Sequence, residues 1–495
     1  VKTHDAITVT VDGVLVSTAR GATILDAARA AGIDIPTLCH ADGLAPEGGC
    51  RMCLVEIATD GGSQRPQAAC HTPVVDGMRI VTASERLRRI RRGLLALTVE
   101  ALPSGAATPN SSGTPFERLL AAHDVRPNGR SGRASAPIDD SHPYLRFDRD
   151  RCITCRLCLN ACEQVQGQFV YGVEGRGGGV RLVYGPTERF ADSDCVSCGA
   201  CVEVCPTGAI GDRDRAAGAP AVEKVVESVC GYCGVGCRLE IEAADDVILR
   251  IDGVSDAAVN RGHLCVKGRY AHAFHRSTDR LTTPLVRDGD GELRPTGWDE
   301  AIEFVARRLL EVRDAHGPDA LGTMTSSRST NEAAYLLQKL FRSVIGTNNV
   351  DCCARVCHAS TAVALGMVTG TGAATASYDD IERAGALIVA GANPTEAHPV
   401  VGARLKQAAL AGTPLIVIDP RATELSRYAA VHLQLWPGTN VALFNALAKV
   451  IVEEELHDAA YVAERCEGFD ELRAFLAAPS LDELAAITHV PVELI

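Results

Sequence analysis

Two short stretches of this chain repeat one cysteine spacing. "RCITCRLCLNAC" carries Cys152, Cys155, Cys158 and Cys162, and "DCVSCGACVEVC" carries Cys195, Cys198, Cys201 and Cys205. Each reads C-x2-C-x2-C-x3-C, four cysteines within eleven residues. Zinc ribbons rarely crowd their thiols so closely, and two in succession would be rarer still. The repeat points instead to iron–sulfur ligation, in which several thiolates wrap one inorganic core.

Twenty cysteines in a secreted chain would suggest disulfides. Here they fall in tight clusters within 495 residues, and "VKTHDAITVTVDG" has no apolar signal core. That combination favours metal ligation in a reducing compartment, and a cytoplasmic location is expected. The basic "RRIRRG" at 88–93 is internal and not an export signal. No apolar run of about 18 residues occurs, so no membrane span is expected. The length implies several domains, and 46 % apolar residues suffice for ordinary cores. A net charge of −13 disfavours non-specific binding to nucleic acid or to anionic membranes.

Residues 7–16, "ITVTVDGVLV", alternate around Asp12-Gly13 and predict a β-hairpin. "ATILDAARAAG" predicts a short helix stopped by Gly32, and "MCLVEI" a strand. Residues 81–102 predict a basic helix. Residues 103–140, rich in Gly, Ser, Pro and Ala, predict a linker or loose surface segment. "RLEIEAADDVILRIDG" predicts a second hairpin. "DEAIEFVARRLLEVRDAHG" and "NEAAYLLQKLFRSVIG" predict helices, with apolar positions three and four apart. Beyond them strands and helices alternate: "ALIVAGANP", a helix around 402–411, "TPLIVIDPR", "VHLQLWPGTN" and a helix at 440–455. Such alternation implies a parallel sheet covered by helices.

The doubled motif, with Pro206 after the second copy, resembles the bacterial two-cluster ferredoxins; Glu163 stands where the first copy would usually have proline. In that pattern the fourth cysteine of each motif crosses to the other cluster. The resemblance implies one 4Fe–4S centre on Cys152, Cys155, Cys158 and Cys205, and another on Cys195, Cys198, Cys201 and Cys162. Upstream, Cys39, Cys50, Cys53 and Cys70 give C-x10-C-x2-C-x16-C after the hairpin and helix. This suits a 2Fe–2S centre in a β-grasp domain, with structural zinc as the second reading. "LCHADGLAPEGGCRMCLVEI" resembles the N-terminal ferredoxin domain of the large iron–sulfur subunit of respiratory complex I and of iron-only hydrogenases. That family usually continues with a cluster held by one His and three Cys. No cysteine lies between Cys70 and Cys152, and His123 alone does not replace the set, so that cluster is expected to be missing.

Cys230, Cys233, Cys237 and Cys265 give C-x2-C-x3-C-x27-C, which alone would also suit zinc. With "NRGHLCVKGR", "GWDEAIEFVA", "GANPTEAHPV", "IDPRATE" and "WPGTN", residues 225–495 resemble the molybdopterin-dinucleotide oxidoreductases of the dimethyl sulfoxide reductase superfamily, and most closely its formate dehydrogenases. The resemblance implies a third 4Fe–4S centre on these cysteines, with Lys267 between cluster and pterin. It also implies that "RVCH", Arg355 to His358, supplies a metal ligand in Cys357 and a proton acceptor in His358. A soft thiolate suits a metal already held by dithiolene sulfurs, and an imidazole can take a proton. Nitrate reductases of the superfamily usually have Met after that cysteine. For Cys352, Cys353 and Cys466 the expectation is the commonest fate of a free cysteine, a buried core position.

"GANPTEAHP", "IDPRATE" and "LWPGTN" each follow an apolar strand, where ligands of open α/β sheets bind. Gly391, Asn393, Glu396, Asp419, Arg421, Gly438, Thr439 and Asn440 are therefore candidates for one guanine dinucleotide; Asn440 stands where the family usually has Asp. Ordinary turn chemistry is the competing explanation.

The expected architecture is multidomain α+β and α/β. A 2Fe–2S β-grasp ferredoxin spans 1–80, a basic helix and linker 81–140, and a two-cluster ferredoxin 141–222. A 4Fe–4S domain spans 223–283, and a partial α/β molybdopterin region with doubly wound parallel sheets spans 284–495. The expected activity is oxidation of formate to carbon dioxide at Mo or W bound by two molybdopterin guanine dinucleotides. Electrons would pass to a flavin- and NAD-binding diaphorase. The superfamily continues for several hundred residues beyond "HVPVELI", so this chain is expected to be a fragment or to be completed by another polypeptide. A non-catalytic electron-transfer subunit like that of complex I, or another superfamily member such as a nitrate reductase, are the alternatives.

Overall fold

The computed structural model describes residues 6–58, 65–103, 113–126, 135–213 and 220–495. They form two compact units. The first comprises Val1–Ser228, Cys237–Arg269 and Ala384–Ile495, the second Val229–Gly236 and Tyr270–Arg383.

The first unit begins with the expected hairpin. Ala6–Val11 pairs antiparallel with Val14–Ala19. Asp12 and Gly13 turn between them with φ of 47° and 88°, the doubly left-handed turn that suits strand twist. Five strands make one mixed sheet, ordered Val14–Ala19, Ala6–Val11, Arg79–Val81, Leu54–Ala58 and Arg65–Ala68. The helix Ile24–Ala30 starts on a capping box between Thr23 and Asp26 and ends before Gly32 (φ 70°). Ile24 and Leu25 bury against Val9, Val11, Val55 and Ile80 in one core, as a β-grasp domain requires.

The helix Glu85–Glu100 buries Leu87, Arg91, Leu95 and Val99, one residue every four, which is one face of an α-helix. Within the segment expected to be a linker, Pro115–Ala122 is a helix with a Thr114–Glu117 capping box and Pro115 in its first turn. Its Phe116 and Leu120 share a core with Leu38, Met52, Leu95 and Val99. Composition suggested a loose segment, but the local capping chemistry and two apolar residues spaced by four order it. The rest of that stretch lies partly outside the described residues.

The doubled motif folds as two matching halves. Thr154 and Ser197 occupy equivalent places with φ of 51° and 58°; so do Arg156 and Gly199, at 65° and 76°. Each half then enters a short helix, Leu157–Ala161 and Ala200–Glu203. Two ribbons frame them, Leu145–Phe147 with Ile210–Asp212 and Gly172–Glu174 with Arg181–Val183. Downstream, Arg238–Ala244 and Val247–Gly253 form the second expected hairpin, turning at Asp245 and Asp246. The last part of the unit holds a three-stranded parallel sheet, Leu387–Ala390, Leu415–Ile418 and Val431–Leu433 in that spatial order. The helices Pro399–Leu410 and Asn440–Glu453 alternate with these strands.

The second unit contains the two predicted helices, Trp298–His316 and Asn331–Lys339, ending toward Gly317 (φ 85°) and, after a π-helical turn, Gly346 (φ 93°). Their apolar stripes remain exposed at Ile302, Val305, Tyr335 and Leu336. Among the described residues, no helix is long and apolar enough to cross a membrane.

Candidate cluster and cofactor sites

In the β-grasp domain the ligand candidates meet as two pairs. The Cys50 amide donates to Cys39 Sγ at 3.3 Å, and the Cys53 and Cys70 sulfurs lie 3.4 Å apart. The Cys39 thiol hydrogen-bonds Cys50 and brings it down to about 6, while Cys39 itself is pushed up. The Cys70 thiol likewise brings Cys53 down to about 7. Two pairs of thiols, one of each pair easily ionised, suit two irons that each take two thiolates. Arg91, which in the sequence reads as one more residue of a basic helix, is buried beside them. Its guanidinium donates to the carbonyls of Met52 (3.1 Å) and Leu54 (2.8 Å), fixing the loop that carries Cys53.

The doubled motif lines two largely apolar cavities. Cys152, Cys155, Cys158 and Cys205 line one, with Phe147, Ile153 and Ile210 around them. Cys162, Cys195, Cys198 and Cys201 line the other, with Val170 and Tyr171. The fourth cysteine of each motif thus faces the other's cavity. Burial pushes Cys155 and Cys195 up to about 12 and Cys162 to about 11. Thiols this hard to ionise lose their protons when a cationic iron centre takes their place, so a cluster fits the donor set. Among the described residues no three Cys, His, Asp or Glu side chains converge on a single-ion point.

The loop after Cys162 is clamped by the last third of the chain. Gln407 Nε2 donates to the Glu163 carbonyl at 2.6 Å, and the Tyr428 hydroxyl to the Gly167 carbonyl at 2.8 Å. Lys406, fully buried, donates to Gln168 Oε1 (3.0 Å) and Glu424 Oε1 (2.8 Å). Gly167 has φ of 66°, and a Cβ there would lie 3.3 Å from Lys406 and Gln407 side-chain atoms, so both backbone and space call for glycine. No one-dimensional signal marks Lys406; it reads as an ordinary helical lysine.

The candidate dinucleotide residues gather at one edge. The three parallel strands end at Ala390, Ile418 and Leu433, and the loops bearing Gly391–Glu396, Asp419–Arg421 and Gly438–Asn440 all follow those ends. Gly391 (φ 59°) donates its amide to the Ile418 carbonyl at 2.8 Å. Asp419 is buried and accepts from the Arg421 amide at 2.8 Å. Asn393 Oδ1 accepts from the Thr395 hydroxyl. Gly438 has φ of 89°, and Thr439 Oγ1 donates to the Trp436 carbonyl at 2.7 Å. Asn440 starts the next helix. Lys267 is exposed, and its Nζ donates to the Glu396 carbonyl at 3.4 Å, so this lysine reaches the first of the three loops. Glycine turns at the ends of parallel strands fit a phosphate-bearing ligand.

Of the remaining set, Cys237 and Cys265 belong to the first unit and Cys230 and Cys233 to the second. Cys357 and His358 also lie in the second, in a turn that leads into the helix Ala359–Thr369. Cys357 is exposed, and both residues' amides donate to the Ala354 carbonyl. His358 Nε2 lies 3.2 Å from the Gly372 carbonyl, and Arg355 pairs with Asp351 at 2.8 Å. The expectation for the other cysteines is overturned: Cys353 and Cys466 are exposed and Cys352 only half-buried. Cys353 opens a surface 3-10 turn, where its sulfur meets the Ser327 hydroxyl at 3.4 Å, and Cys466 caps the end of Ala459–Arg465. Position at element ends outweighed the general tendency of cysteine to be buried.

Four family profiles match consecutive parts of the chain. They are the 2Fe–2S iron–sulfur cluster binding domain over 4–85, the 4Fe–4S dicluster domain over 142–209, the molybdopterin oxidoreductase Fe4S4 domain over 223–277, and molybdopterin oxidoreductase over 280–484. A Staphylococcus aureus (strain MRSA252) protein named "Putative formate dehydrogenase" is 30 % identical over 99 % of this chain and 53 % of its own length. The NADPH-Fe(3+) oxidoreductase subunit alpha of Geobacter sulfurreducens (strain DL-1 / KN400) is 33 % identical over 98 % of this chain and 56 % of its own length. The chain spans about half the length of the curated relatives it matches. Among solved structures, acetylene hydratase from Pelobacter acetylenicus aligns with 54 % of this chain and 37 % of its own, at 28 % identity and a TM-score of 0.46. The chain thus carries a 2Fe–2S domain, a 4Fe–4S dicluster domain, and the Fe4S4 and molybdopterin domains of the molybdopterin oxidoreductases, in that order.

Proposed function

We propose that this chain serves the oxidation of formate to carbon dioxide. Its cofactors would be one 2Fe–2S cluster, three 4Fe–4S clusters and Mo or W held by two molybdopterin guanine dinucleotides. When bound, the metal–dithiolene centre supplies a two-electron acceptor. Cys357 is its protein ligand, and the carrying observation is that this thiol stands exposed at a helix entrance with His358 beside it. If Nε2–H of His358 donates to the Gly372 carbonyl, Nδ1 is left as the acceptor for a substrate proton. Lys267 sits against the Glu396 loop as the cation of the pterin site. The cysteines lining the two apolar cavities, with the 2Fe–2S set, would hold the clusters that relay electrons toward a partner, a diaphorase subunit with flavin and NAD. The name of the Staphylococcus aureus relative supports the substrate, and that of the Geobacter relative supports exchange with a nicotinamide cofactor.

The test is metal analysis and formate-dependent dye reduction on the complete complex. The reading expects Mo or W, about 14 iron atoms per chain and formate-driven reduction. Iron near 18 per chain would reinstate the His-ligated cluster. The Geobacter likeness favours a second reading, electron transfer from a nicotinamide donor without formate; dye reduction by NAD(P)H but not by formate would select it.

A further inference from the structure

Four residues beyond Cys265, Arg269 turns inward and is 2 % exposed. Its Nε donates to the Cys198 carbonyl at 3.0 Å, and its Nη1 to Asp252 Oδ1 at 2.6 Å and the Ile251 carbonyl at 3.3 Å. Its Nη2 donates to Glu203 Oε1 at 2.5 Å. One guanidinium thereby joins the segment of one ligand set to the cysteine loop of another, through the rigid planar fork that only arginine offers. Because Nε bonds the Cys198 carbonyl itself, the guanidinium charge stands beside the loop that carries this sulfur. A buried cation is expensive unless paired, and two carboxylates, Asp252 and Glu203, do the pairing.

We propose that Arg269 is a positioning residue for electron transfer. It holds the Cys198 loop at a fixed distance from the Cys265 segment. Its positive charge favours the reduced state of a cluster on Cys162, Cys195, Cys198 and Cys201, and Glu203 opposes it. Reduction adds one electron and no proton need follow, so the neighbouring cation compensates the added charge directly. The donor is the centre that Cys265 helps to hold, and the final acceptor is the partner or an added dye; no bond forms or breaks. The inference rests on the ligand sets proposed above.

The experiment is an EPR-monitored redox titration of the complete complex in wild type, Arg269→Gln, Arg269→Lys and Glu203→Gln, with iron counted in each. One 4Fe–4S signal should move to lower midpoint potential in Arg269→Gln and to higher in Glu203→Gln, with the others unmoved. Arg269→Lys should recover the potential but slow the reduction of that signal after a formate pulse, because an ammonium cannot reproduce the fork. A purely structural strut would lower stability in all three variants and move no potential. If Arg269→Gln does not fold, Glu203→Gln decides alone, and an unmoved midpoint there overturns the proposal. Wild-type protein without two ferredoxin-type signals would instead overturn the ligand sets themselves.

Discussion

A single methyl group at Gly402 tests how tightly the first dinucleotide loop is held. A Cβ there would stand 2.7 Å from Thr395 Cα, 2.8 Å from Thr395 N and 2.9 Å from the Pro394 carbonyl carbon. All three are backbone atoms, so no side chain can rotate aside; the short helix Pro394–Ala397, with Asn393 at its start, must move. Overpacking of this kind costs about 1–3 kcal/mol. Alanine returns about 1 kcal/mol through helix propensity, leaving a net loss of roughly 1 kcal/mol for Gly402→Ala. Gly93 is the matched control. It lies on the exposed side of Glu85–Glu100 with nothing within 4 Å of a built Cβ. Only the propensity acts there, so Gly93→Ala should stabilise by about 0.5–1 kcal/mol. Hydrogen exchange read on peptides 394–410 and 85–100 measures both. About 1 kcal/mol is a roughly fivefold change in the exchange of amides that open locally. Exchange should quicken in the first peptide for Gly402→Ala and slow in the second for Gly93→Ala. Protection of 394–410 by Gly402→Ala would refute the reasoning, because it would mean that the loop yields at no cost and the helix does not set its position.

Replacing the Cys357 thiolate by a harder oxygen in Cys357→Ser should abolish formate oxidation while all iron–sulfur EPR signals survive. His358→Gln should cut turnover about 10²–10⁴-fold with Mo or W still bound, the usual contribution of an acid–base group; unchanged turnover would remove His358 from the reaction. Lys267→Ala, which loses one long hydrogen bond from an exposed side chain, should leave metal content and melting within experimental error and slow electron exit to the native acceptor. His142 is buried, and its Nδ1 accepts the amides of Tyr144 (3.2 Å) and Leu145 (3.1 Å), which a protonated ring cannot do. Burial holds its pKa below the usual value, so the unfolded chain takes up the proton first. Stability is full above about pH 6.5 and falls below it toward the folded pKa, by at most about 1.4 kcal/mol per pH unit. Urea titrations at pH 7.5 and 5.5 should show this loss in wild type and less of it in His142→Gln; an equal loss in both would assign it elsewhere.

How much of this was legible in one dimension depends on whether the determining contact is local. The Asp12-Gly13 hairpin, the helix stopped before Gly32 and the parallel strands after 384 are each set by neighbours within a few residues, and all stand in the fold as patterned. The repeated cysteine spacing went further, because a ligand set is a list of positions that chemistry forces together whatever lies between. Arg91 was half legible. The stripe Leu87, Arg91, Leu95, Val99 puts it on the buried face at helical spacing, yet a run of arginines reads first as surface. Lys406 and Arg269 were not legible at all. Their partners lie 238 and 71 residues away in Gln168 and Cys198, and no local pattern distinguishes them from solvated helix residues. What these two share is informative. Each is a buried cation from the molybdopterin part of the chain, and each bonds to backbone or side chain flanking the second cavity, at Gln168 after Cys162 and at the Cys198 carbonyl. Buried cations are costly and are kept where the geometry they impose matters. A cluster in that cavity would lie near two fixed cations, each of them paired, Lys406 with Glu424 and Arg269 with Asp252 and Glu203. The Arg91 guanidinium likewise bonds the loop carrying Cys53. In this chain the cysteine spacings name the candidate sites, and residues distant in sequence place charge around them.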